Sequence, residues 1–159
     1  TQKEWKTFMD LYKKEEFHEQ KERYGYAITR FKDKKLLEKV LVFAMSKNVR
    51  TQDAPYMIAQ VWQNTKGRYM TWKFVRKNWK EISKRYGEGG KFLSRLLSVL
   101  EGHKRKEDAM DAKKFFEKHG APGAERTLEQ AYERIYSNSA WLRDDKKGIE
   151  NWLNKNYKK

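Results

Sequence analysis

Between Gly67 and Tyr86, the residues Trp72, Val75, Trp79, Ile82 and Tyr86 recur at steps of three and four. That spacing places all five on one stripe of a helix of about twenty residues. Lys73, Arg76, Lys77, Lys80, Lys84 and Arg85 occupy the opposite face. Gly87 stands where a left-handed cap would end the helix, and Gly89-Gly90 is positioned to make a turn. A second stripe follows in Phe92, Leu93, Leu96, Leu97 and Leu100. Neither helix can bury its stripe alone, so the pair predicts a helical hairpin that other helices must cover.

The flanking sequence repeats this pattern. Trp5, Phe8, Met9 and Tyr12 form one stripe, and Tyr24, Ala27, Ile28 and Phe31 another, joined by the charged run Lys13 to Arg23. Asp33 is placed to cap a helix carrying Leu36, Leu37, Val40, Leu41 and Ala44. Thr51 or Asp53 is placed to cap a fourth helix with Pro55 in its first turn and Ile58, Val61 and Trp62 on its apolar side. Gly102 and the following HKRK run interrupt the chain. Ala109, Ala112, Phe115 and Phe116 then predict a seventh helix ending near Gly120. Leu128, Ala131, Tyr132 and Ile135 predict an eighth, and Trp141, Leu142, Ile149, Trp152 and Leu153 a ninth. At this spacing Trp72, Trp79, Trp141 and Trp152 read as core residues. The expected fold is all-α: one domain over residues 1–159, an α-α superhelix of about nine antiparallel paired helices of HEAT or armadillo type. The units have no exact sequence repeat.

An elongated helical array also accounts for an unusually polar composition. Charged residues make up 37% of the chain against 38% hydrophobic, and the mean hydropathy is −1.11. Two prolines and nine glycines are too few for the many turns of an all-β domain. No cysteine is present, which removes disulfides and thiolate metal sites and fits a cytoplasmic protein. No apolar run approaches the roughly twenty residues of a membrane span.

The net charge of +15 is concentrated. Thirteen lysines and arginines stand between Lys66 and Lys106 against Glu81, Glu88 and Glu101, a local net of +10. A band of this density is either a solvated helix face or a surface for an anionic partner. It supports one function class directly: a stand-alone basic helical scaffold that binds nucleic acid or an acidic protein.

The motif order supports another. The pattern GR-x-x-x-W-x-F-x-x-x-NW-x-x-x-x-x-RYG from Gly67 to Gly87 resembles the C-terminal α-helical domain of M1-family zinc aminopeptidases. So do NVRTQD at Asn48 to Asp53, the block from Phe115 to Ile135 and the block from Asn138 to Leu153. The resemblance runs from about Leu36 onward and is weaker before it. It implies a non-catalytic domain that caps the peptide chamber of an enzyme removing N-terminal amino acids. The zinc-bearing catalytic domain would be a partner within the same polypeptide, on the N-terminal side. The domain's concave face would meet the carboxyl end of the peptide substrate. Arg30 matches an arginine that antigen-trimming relatives use for that end, whereas their neighbouring basic position stands here as Gln63.

The sequence offers no catalytic residues of its own. M1 zinc enzymes hold the metal with HExxH, two histidines one helical turn apart beside a general-base glutamate. His18-Glu19 begins such a pattern, but Glu22 occupies the second ligand position, and His103 and His119 lie far along the chain. Neither a metal site nor a cofactor is expected in this chain. Asp53 near Arg50 and Asn78 beside Trp79 read as interhelical braces.

Overall fold

The computed structural model describes residues 1–88 and 90–157. Among them are nine α-helices: α1 (Gln2–Lys14), α2 (His18–Ile28), α3 (Lys34–Ala44), α4 (Ala54–Gln63), α5 (Arg68–Lys77), α6 (Trp79–Tyr86), α7 (Lys91–Leu97), α8 (Lys106–His119) and α9 (Glu125–Tyr157). A 3-10 turn, Ser98–Gly102, links α7 to the loop before α8. No described residue is in a strand. The protein is the all-α helical-repeat domain that the periodicity predicts.

Caps and pairing follow from the residues. Thr1 and Glu4 form a capping box on α1. The Asp33 carboxylate accepts hydrogen bonds from Lys35 N (2.7 Å) and Leu36 N (3.2 Å) at the start of α3, satisfying two backbone donors that a helix leaves open. Asp53 precedes α4 but makes no side-chain cap there. α1 packs on α2, α3 on α4, and α8 on α9, as successive hairpins.

The hub is α4 rather than the Gly67–Leu100 hairpin. It touches α2, α3, α5, α7 and the 3-10 turn, and Met57, Ile58, Val61 and Trp62 on it are almost fully enclosed. A single core cluster runs from Met9 to Ile135. Trp72, Trp79, Phe115 and Phe116 knit α5, α6 and α8 together, with the Trp79 and Phe116 rings 5.0 Å apart, edge to face. That contact is the favoured geometry of two ring quadrupoles.

The structure departs from the sequence pattern at Asn78, at Gly87 and along α9. The twenty-residue helix is broken at Asn78, whose backbone (φ −104°, ψ 13°) leaves the helical region. Its side chain donates to Phe74 O (2.8 Å) in the preceding turn, a local bond rather than a clamp on a neighbouring helix. The stripe survives, because Trp72, Val75, Trp79, Ile82 and Tyr86 are all buried across the break. Gly87 is right-handed (φ −73°). The left-handed position is Gly90 (φ +66°), and Gly89 lies outside the described residues. The eighth and ninth predicted helices are one continuous element, α9, on the order of 50 Å long. Its first half buries Leu128, Ala131, Tyr132 and Ile135. Trp141, Ile149, Trp152 and Leu153 in the second half are exposed and belong to no core.

Gly90 and Gly123 bring the backbones of two sequence-distant turns into contact. Both have positive φ, +66° and +74°. A Cβ on Gly90 would sit 2.6 Å from Gly123 O, and Ser94 Oγ donates to that same carbonyl (3.0 Å). The α6–α7 turn is thereby stapled to the α8–α9 turn.

Candidate binding groove

The C-terminal ends of α2 and α4 come together around a groove of about 590 Å³. Thr29, Arg30 and Lys32 form one wall, just past α2. Gln60 and Gln63 on α4, with Asn64, Thr65 and Lys66 beyond it, form the other. Arg30 and Gln63 stand 33 positions apart in sequence, and the fold brings them to the same groove.

Asn64 holds the two walls in register. Its Nδ2 donates to Thr29 O (3.0 Å) and Phe31 O (2.9 Å), while its Oδ1 accepts from Lys66 N (3.0 Å). Thr29 is buried, and its hydroxyl donates back to Tyr26 O (2.7 Å). The backbone under Arg30 is therefore fixed, and its exposed guanidinium stands on a rigid base. Among the described residues, no ion pair occupies Arg30, Lys32 or Lys66. Among the described residues, no carboxylate lines the groove. Such a site offers a planar two-pronged donor, two point charges and neutral amide and hydroxyl groups, a set suited to an anion.

The basic face predicted on α5 and α6 is partly committed internally. Arg76 donates to both oxygens of Asp111 (3.0 Å each) and lies over the Trp72 and Phe115 rings. Arg85 pairs with Glu81 and donates to Met45 O (3.0 Å). Lys73, Lys77, Lys80 and Lys84 are exposed, but the break at Asn78 divides them between two helices.

The histidines do not converge, and among the described residues no cluster of three or more His, Asp or Glu could hold a metal ion. His18 faces Asp53, with Nε2 3.7 Å from the carboxylate. Burial pushes the Asp53 carboxyl up, and the His18 and Arg50 charges oppose that rise. His119 lies against Phe115. His103, at the start of the charged HKRK run, is only 1% exposed. Trp62 Nε1 on α4 donates to its Nε2 (3.0 Å). Nε2 must therefore be an acceptor, leaving the proton on Nδ1, which faces Asp108 Oδ2 at 3.4 Å. Asp108 also receives Tyr69 (3.3 Å) and Arg105 (2.6 Å). Burial pulls the His103 imidazole below its ordinary value, and the Asp108 carboxylate offsets part of that shift. Sequence reading missed this junction, because a charged run is normally a solvated one.

Comparisons with known proteins agree with the architecture. The family model described as "ERAP1-like C-terminal domain" matches residues 1–137. Glutamyl aminopeptidase of Bos taurus is 27% identical over 151 residues, covering 94% of this chain and 16% of the relative. Glutamyl aminopeptidase of Bitis rhinoceros is 30% identical over 152 residues, with coverage of 94% and 16%. Aminopeptidase M1 of Arabidopsis thaliana is 28% identical over 144 residues, with coverage of 90% and 16%. The chain thus spans about one-sixth of the length of these relatives. It belongs to the ERAP1-like C-terminal domain family, as a helical C-terminal domain of the M1 aminopeptidase type.

Proposed function

We propose that this chain caps the peptide chamber of an M1 aminopeptidase, an enzyme that removes N-terminal amino acids from peptides, and that the groove beside Arg30 receives the peptide's carboxyl end. The reading rests on one observation above all: Arg30 and Gln63 line one groove that contains three cations and no acid. A free carboxylate is matched by a guanidinium through two parallel charge-assisted hydrogen bonds. Gln63 supplies a neutral amide where antigen-trimming relatives place a second cation, so Arg30 carries the main interaction.

Catalysis and its zinc would belong to another part of a longer polypeptide, because His18, His103 and His119 are each committed to separate contacts here. The catalytic domain is the natural partner of a cap, and swinging the cap closed would exclude water from the chamber. The cysteine-free sequence suits a reducing compartment such as the cytoplasm. The competing nucleic-acid scaffold is weakened by the internal engagement of Arg76 and Arg85.

Fluorescence anisotropy with a labelled ten-residue peptide, as free acid and as amide, tests the reading. The acid is expected to bind tighter, by about tenfold, the scale of one charged hydrogen-bonded contact. Arg30→Ala should abolish the difference. Equal binding of acid and amide, or a difference that survives Arg30→Ala, contradicts it.

A further inference from the structure

We propose that the groove selects peptides whose last residue is Asp or Glu, taking two carboxylates rather than one; this rests on the carboxyl-end reading above. A single α-carboxylate leaves the charge of the lining unbalanced. Arg30, Lys32 and Lys66 contribute three positive charges, and Gln60, Gln63 and Thr65 contribute none. Two of the cations would face a neutral terminal side chain with no counter-charge, in a groove whose walls Asn64 ties together.

The division of labour follows from the chemistry of the cations. Arg30 has the planar fork that fits the main-chain carboxylate, while Lys32 and Lys66 are point charges that take an anion from any direction. They sit on opposite walls, one past α2 and the other past α4. A short acidic side chain entering between the walls meets both. Substrates of this class are peptides that end in an acidic residue, and a terminal Gln is the matched neutral control.

Anisotropy with the full 159-residue chain decides it, using four labelled peptides that end in Glu or Gln, each as free acid and amide. The Glu acid should bind about threefold to fivefold tighter than the Gln acid, the scale of one solvent-exposed charge pair, and added salt should shrink the gap. A Lys32→Gln/Lys66→Gln double variant should erase the Glu-over-Gln preference, and a preference that survives it overturns the role given to the two lysines. Both lysines are exposed, and circular dichroism confirms that the variant is folded. If Glu and Gln acids bind equally while both beat their amides, the acidic preference is overturned and the carboxyl-end reading stands. If acids and amides bind alike, both fall.

Discussion

Replacing Gly90 with alanine tests whether the contact between the two turns holds the second half of the superhelix on the first. Two costs add. The left-handed backbone at Gly90 (φ +66°) penalises any Cβ, by about 1–2 kcal/mol. The new Cβ would also lie 2.6 Å from Gly123 O and 3.0 Å from Gly123 Cα. Both are backbone atoms, so no flexible side chain can give way. Overpacking of that kind adds about 1–3 kcal/mol, and the expected loss is about 3 kcal/mol in all, a large part of a typical domain's stability. Urea unfolding followed by tryptophan fluorescence measures it. Coupling sharpens the test, because Gly123→Ala strikes the same contact from the other side, its Cβ 2.9 Å from Gly90 Cα. Once one substitution has parted the turns, the second has less to strike, so the double variant should lose clearly less than the sum of the singles. A loss under about 1 kcal/mol for Gly90→Ala, or strict additivity, would falsify the staple.

Two further expectations concern buried and exposed aromatic and titratable groups. Because burial depresses the folded-state value of His103, its stabilising contribution is complete above the unfolded value of about 6.5 and declines as pH falls below it, by at most about 1.4 kcal/mol per pH unit. Urea midpoints at neutral and mildly acidic pH should show this, and His103→Gln, which can still accept from Trp62 but cannot titrate, should flatten the slope; an unchanged slope places the acid sensitivity elsewhere. Trp79→Ala should cost about 3–5 kcal/mol, while Trp152→Ala, at a site 56% exposed, should stay within about 0.5 kcal/mol. Comparable losses at the two sites would mean that the second half of α9 packs onto the body.

The sequence made most helix faces legible, because periodic burial leaves a periodic trace. Asp33 was readable as a cap, and the Trp72-to-Tyr86 stripe is buried residue for residue. The same trace hid the break at Asn78, since a stripe can continue across a local departure when both short helices face one core. It also split α9 wrongly. Asn138 stays helical and donates to Glu101 O (3.2 Å) of the 3-10 turn, so the helix runs on between the two stripes. The tryptophans beyond it fit a helical period without any partner to bury them, and period alone does not report a partner. Arg30 was singled out only through family resemblance. Nothing local links it to Gln63 or Lys66, because the groove exists only where Asn64 joins the ends of two helices.

An NMR titration of the isotope-labelled chain with a free-acid ten-residue peptide locates the surface that receives the carboxyl end. Amide shifts are expected to concentrate at Thr29–Lys32 and Gln60–Lys66 and to be lost when the amidated peptide is used. Shifts centred on Lys73, Lys77, Lys80 and Lys84, or shifts indifferent to the carboxyl end, would contradict the carboxyl-end reading and make the basic face the binding surface instead.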